Sequence, residues 1–235
     1  MRLQVGIENN FEGRSLAWAL GHPGCFAYGV DGEGAYAALP QAVVDYAAWI
    51  AAHNQGECWV DSRHIELQWA ETWEVYAIDE AYDLAEQGYE VNAWFRHDWK
   101  PLTEEDIQRG LLLLAWSRMD LLASVANLNS EALATHHPGE RWDLSGILKH
   151  VGGAEWWYLD RLRMALPRQE VPDDPFERLD VVRKHLLQVL PTLTGASQVV
   201  GIDGEMWSPR KLLRRLVWHE RDHTIHFLKL RQNLV

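Results

Sequence analysis

Cysteine is nearly absent. The 235-residue chain has two, Cys25 and Cys58. They are too few and too far apart to form a disulfide scaffold, so a reducing compartment is expected. Long apolar runs are missing as well. None approaches the roughly 18 residues needed to cross a bilayer, and no membrane association is expected. The opening MRLQVGIENN has no basic start leading into an apolar stretch. No secretory leader is expected, and the cytoplasm is the expected location. Positive charge is in deficit, with a formal net charge of −12. A surface that acidic repels phosphate backbones, which argues against nucleic acid as a partner. The densest basic cluster is Arg210, Lys211, Arg214 and Arg215, and its spacing predicts the solvated face of a helix. Internal repeats and low-complexity tracts are also lacking.

Tryptophan, in contrast, is abundant. The chain holds 13, and 47% of its residues are apolar. So much indole must be packed or line a pocket. The length and apolar content suit one large domain or two small ones.

Residues 1–78 read as α+β. RLQVGI (2–7), SLAWAL (15–20) and CFAYGV (25–30) are short strands separated by the turn-forming ENNFEGR and GHPG. A helix over about 33–53 follows, with Tyr36, Leu39, Val43, Val44, Ala47 and Ile50 at helical spacing. CWVDS and IELQWAETWEVYAID then supply further strand, giving the order β-β-β-α-β with room for an extra strand. Residues 79–103 read as a connector with one short helix near 79–87. From 104 to the C-terminus the pattern is helical. Helices are predicted at 104–127 behind a Thr103–Asp106 cap, at 144–165 capped by Asp143, at 174–193 with Pro175 in the first turn, and at 209–231 capped by Ser208. This predicts an all-α four-helix bundle over 104–235.

The last helix carries a stripe of Leu212, Leu216, His219, His223, His226 and Leu230, spaced by fours and threes. Three histidines thus stand at leucine positions. A buried imidazole left without a partner costs about 1–3 kcal/mol, and a metal relieves that cost by accepting a lone pair from a neutral ring. His219 and His223 lie one turn apart and can converge on one ion. A third ligand must come from a facing helix, and His150 is the only histidine in the 144–165 segment. Gly152, Gly153 and Ala154 follow it. Two glycines in a helix cost about 1 kcal/mol each relative to alanine, so the pair needs a reason, such as close helix approach or a bound ligand. The plainer alternative is that His150 is an ordinary polar core residue and His219 lies on the surface.

Three histidine ligands leave an open position for water or substrate. Zn²⁺, Ni²⁺ and Fe²⁺ all suit imidazole. Such a site can acidify a water or hold a substrate thiolate. Proton-linked loss of metal is expected near pH 5–6. A pocket lined by tryptophan is expected beside the site, with Trp157 as a candidate. Glu155 is the candidate helper nearest the pocket, whereas Glu220 and Asp222 flank the stripe and are expected to be surface charges. His22, His53, His64, His97, His136 and His137 are expected at the surface, and His185 is expected to face solvent. The nucleophiles Cys25 and Cys58 lie outside the helical segment.

Two resemblances accompany these patterns. Trp142, Asp143, Ile147 and His150 followed by EWWYLDRL, then Trp207, Ser208 and HERDH (219–223), resemble the DinB family of metal-binding four-helix bundles. The resemblance implies metal ligation by His150, His219 and His223, and a reaction class that includes thiol-dependent transferases and isomerases. One departure is His226, where the family often has glutamine. It is open to reading as a fourth ligand, a partner to a ligand, a general base or a polar pocket wall. HPGCFAYGVDGEGAYAALPQAVVDYAAWI is similar to the HicB-like antitoxin fold. The expected function is therefore a metal-dependent thiol transferase or hydrolase acting on a small molecule, with a low-molecular-weight thiol as partner and a homodimer as the assembly. The alternative is a regulatory protein whose HicB-like domain binds a protein partner while the bundle dimerises or senses a ligand.

Overall fold

A computed structural model describes residues 1–232. The chain divides into two compact units: Met1–Lys100 with Ser197–Arg214, and Pro101–Ala196 with the chain from Arg215 onward.

The first unit begins with strands β1 (Arg2–Phe11), β2 (Arg14–Ala19) and β3 (Phe26–Gly29), then helix α1 (Gly32–His53) and strand β4 (Glu66–Glu74). The sheet order is β3-β2-β1-β4, with β1, β2 and β3 successively antiparallel and β4 parallel to β1. A parallel partner needs a crossover rather than a hairpin, and α1 supplies it. The tight return from β1 to β2 uses left-handed residues, Asn10 (φ 60°), Glu12 (φ 50°) and Gly13 (φ 76°). Asp31 caps α1 by accepting from Gly34 N at 2.7 Å. A Cβ on Gly29 would fall 2.1 Å from Ala35 N, so only glycine lets β3 end against the first turn of α1.

The short helix expected near 79–87 is absent. Residues 79–100 contribute β6 (Leu84–Ala85) and β7 (Tyr89–Val91), which pair with β5 (Tyr76–Ile78) in the order β6-β5-β7. The side chain of Asp79 accepts from Ala81 N and Asp83 N, and Tyr82 takes a left-handed φ of 66°. That local turn competes with helix over 79–87 and wins. A further hairpin, β8 (Val200–Ile202) with β9 (Glu205–Trp207), closes through Asp203 and Gly204, both at positive φ.

The second unit is helical: α2 (Glu104–Val125), α3 (Ser130–Leu133), α4 (Leu144–Arg161), α5 (Pro175–Val189) and α6 (Pro209–Gln232), of which Pro209–Arg214 belong to the first unit. Thr103 and Asp106 form a reciprocal capping box on α2, and Asp143 and Asp174 cap α4 and α5. α4 stops earlier than its sequence periodicity predicts, because Arg163 turns left-handed at φ 59°. α5 tightens into a 3-10 turn at Leu190–Leu193, where Pro191 has no N–H to continue the α ladder. One core joins Leu121 and Val125 of α2, Ile147, Leu148 and Val151 of α4, Leu179 of α5, and Phe227 and Leu230 of α6.

α6 departs from the amphipathic pattern read from its sequence. Every residue from Lys211 to Glu220 is buried, so the basic cluster is not a solvated face. Lys211 Nζ donates to Glu205 Oε1 at 2.6 Å and to the carbonyls of Met206 and Asn92. Arg214 Nη2 donates to Asp98 Oδ2 at 2.7 Å and to the Ala93 carbonyl. Arg215 lies over the Trp218 ring. Each of these buried side chains has a carboxylate, a carbonyl or an aromatic face beside it, which offsets the cost of burying it.

Candidate metal centre

His150 is placed by α4, and His219 and His223 by successive turns of α6. The three offer ligand atoms that all lie within 4.8 Å of one another. His150 Nε2 and His219 Nε2 are 3.1 Å apart. With metal–nitrogen bonds of about 2.0–2.1 Å, ligands at tetrahedral to right angles sit about 2.9–3.4 Å apart, so the observed spacing fits two ligands on one ion as well as a hydrogen bond between the two rings. The rings meet edge to face: His219 and His223 at 4.5 Å, and His150 and His223 at 5.2 Å. His223 Nδ1 is buried with no hydrogen-bond partner. A lone pair or N–H left unpaired there is costly, and the chemistry of the donor set fits a borderline divalent ion.

The electrostatics favour the neutral form of all three imidazoles. Burial pushes His219 well below the ordinary histidine range, with His223, His150 and Arg215 adding to the effect. Burial, then His150 and His226, brings His223 down to about 3. Burial and Arg141 also lower His150. All three rings therefore keep a free lone pair at neutral pH.

Around the triad, Trp142 stacks on His150 at 4.9 Å with 25° between the planes, and Tyr158 and Trp218 present edges to His219. A groove of about 310 Å³ opens beside His150, lined by Trp142, Gly146, Lys149, His150, Gly153 and Arg178. Trp142, rather than Trp157, is the tryptophan at its wall; Trp157 instead lies beneath the Arg161 guanidinium. The first glycine of the pair, Gly152, has a packing reason. A Cβ on Gly152 would meet Arg178 Cγ at 2.9 Å and Leu179 N at 3.3 Å, so bare backbone lets α5 lie close against α4.

His226 stands apart from the three-histidine group. Its Nε2 lies 3.0 Å from Glu140 Oε1, and its ring centroid is 6.1 Å from that of His223. Asp222 is half-buried and outside the group. Glu155 and Glu220 are also outside it, and Glu220 is not a surface charge. Both are buried in a four-residue network. Arg183 Nη2 donates to Glu155 Oε2 at 2.8 Å and to Glu220 Oε2 at 2.7 Å. Arg118 donates to the same two carboxylates at 2.9 and 2.5 Å. Spare donors reach the Leu114 and Leu179 carbonyls. Burial would raise the Glu155 carboxyl, but Arg183 and Arg118 overcome it and hold the group below its usual range. Sequence reasoning missed Arg118 and Arg183 altogether. Their signal was two arginines in otherwise apolar helix faces.

Five surface assignments also change. His137 is buried with Nε2 unpartnered, His97 is half-buried and brought down to about 4 by burial, His185 is half-buried with Nε2 2.7 Å from the Met164 carbonyl, and His22 and His53 are half-buried. Cys25 is buried in the first unit and Cys58 is exposed there.

These features define a helical unit with a clustered, metal-compatible three-histidine centre. Residues 113–226 match the model of the DinB superfamily, so the C-terminal region is DinB-like. The matched segment contains all three histidines, and the superfamily is metal-associated. No curated protein matches the chain. Among the described residues, no helix is long and apolar enough to cross a membrane.

Proposed function

We propose that His150, His219 and His223 hold a divalent ion, Zn²⁺, Ni²⁺ or Fe²⁺, in a DinB-like four-helix bundle. The protein then acts as a metal-dependent thiol transferase or hydrolase on a small molecule. The observation that carries this reading is the convergence of three neutral imidazoles, one with an unpartnered buried nitrogen, beside an open groove. When bound, the ion supplies Lewis acidity at the positions the histidines leave vacant. The chain's own groups do the rest. Trp142 holds the His150 ring flat, Tyr158 and Trp218 exclude water around His219, and the groove walls orient the ligand. A low-molecular-weight thiol is the proposed co-substrate, and a cytoplasmic homodimer the proposed form.

The test compares metal content and melting temperature of the wild type, His150→Ala and His223→Ala. Near-stoichiometric metal in the wild type, lost in both variants with the fold retained, supports a functional site. Metal retained in both variants overturns the assignment. A new thiolate-to-cobalt charge-transfer band on adding 2-mercaptoethanol to the cobalt-loaded protein would favour the thiol reaction over hydrolysis.

A second reading treats the first unit as a HicB-like module for a protein partner. It is favoured by the two terminal strands of the main sheet, β3 and β4, each paired on one side only among the described residues. It predicts partner binding that survives His219→Ala.

A further inference from the structure

The groove beside His150 has a charge opposite to that of the chain. The protein carries −12 overall, yet two of the six residues lining the groove are cations, Lys149 and Arg178. Two more reinforce them. Arg141 lies over the Trp142 ring at 4.6 Å and acts electrostatically on His150, and Arg168 acts on Arg178. The carboxylates nearby are mostly committed elsewhere. Asp143 and Asp174 cap helices, and Glu140 faces His226. The exception is Asp173, whose Oδ1 lies 2.5 Å from Lys149 Nζ and 3.6 Å from Arg178 Nη2. Its side chain is 92% exposed, so water competes for it and it is free to leave. Asp173 demonstrates that one carboxylate satisfies both cations at once.

The remaining walls are apolar or bare. Trp142 offers an aromatic face, and Gly146 and Gly153 add no side chain. A cavity of this size suits a small organic molecule. We propose that this groove binds a small organic anion, a carboxylate or a phosphate, with its charge on Lys149 and Arg178 in place of Asp173 and its flat body on Trp142. That the other end of the ligand faces a metal rests on the function proposed above; the anion subsite does not.

Calorimetric titration of the full chain, metal-free and zinc-loaded, tests this with three probes: 3-phenylpropionate, phenyl phosphate and the neutral 3-phenylpropan-1-ol. The anions should bind about tenfold more tightly than the alcohol at low salt, because a charge-assisted contact is the only difference. Raising the salt should shrink that margin. Lys149→Glu should erase it, and Asp173→Asn should strengthen anion binding, a gain that misfolding cannot produce. The tighter of the two anions names the ligand's charged group. Equal binding of anion and alcohol, no binding of either anion, or a margin unchanged in Lys149→Glu overturns the proposal. Zinc titrated into the same samples separates the two ideas. Zinc that fails to bind while the anion margin holds overturns the metal centre alone, and zinc that binds without any margin overturns the anion subsite alone.

Discussion

The helical unit contains two buried polar clusters that differ in one respect. Arg118, Glu155, Arg183 and Glu220 satisfy one another, with spare guanidinium donors taken by carbonyls. His150, His219 and His223 sit as close together but leave His223 Nδ1 unpaired. The first cluster is complete as protein and the second is not. Burial of polar groups alone therefore does not mark a site. An unpaired buried nitrogen within a cluster of three ligand-capable rings is what singles out the second cluster.

The contrast can be broken in several ways. The largest effect is expected from Glu220→Ala, which removes one of the two carboxylates that Arg118 and Arg183 share and should cost about 3–5 kcal/mol in urea denaturation. His223→Leu in metal-free protein should instead be neutral or stabilising by about 1 kcal/mol, since it removes an unsatisfied group. A loss as large as that of Glu220→Ala would mean the histidines are structural after all. Zinc at a hundred times its dissociation constant should stabilise the wild type by about 2.7 kcal/mol and leave His223→Leu unmoved.

Acid gives the next effect. In metal-free protein His223 stays neutral down to about pH 3 because of burial and its neighbours His150 and His226, whereas an unfolded chain charges it below about 6.5. The unfolded state binds the extra proton throughout that window, so stability must fall as pH drops through it, by up to about 1.4 kcal/mol per pH unit per imidazole. Urea midpoints at pH 7, 6 and 5 check this. His97 in the first unit, lowered to about 4 by burial, contributes a slope of the same sign, so His97→Asn is the control. An unchanged slope in His223→Leu would contradict the assignment. The smallest effect belongs to the exposed Arg109–Glu105 pair, where Glu105→Gln should cost only about 0.3–0.5 kcal/mol.

Much of this was legible from residue order. Caps at Thr103 and Asp143 have a chemical signature that local hydrogen bonding realises. The stripe through His219 and His223 was legible because imidazoles interrupted a leucine pattern. The buried charges were not. Lys211, Arg214 and Glu220 belong to residue types almost never buried unless paired, and their partners Glu205, Asp98, Arg118 and Arg183 are distant or unremarkable in sequence. Over Lys211–Glu220 every position is buried whatever its polarity, so residue type there does not report which side chains face solvent. The strands at 84–85 and 89–91 were hidden for a different reason, since a two- or three-residue strand carries too little alternation to detect.

The stack of Trp142 on His150 has a spectroscopic consequence. An indole stacked on His150 at 4.9 Å would be coupled to any ion that this ring held. An ion with a partly filled d shell, such as nickel or iron, opens a non-radiative path for the excited indole, and closed-shell zinc does not. Replacing Trp142 by phenylalanine and subtracting its emission from that of the parent would turn one of 13 tryptophans into a reporter that distinguishes the candidate ions by light alone.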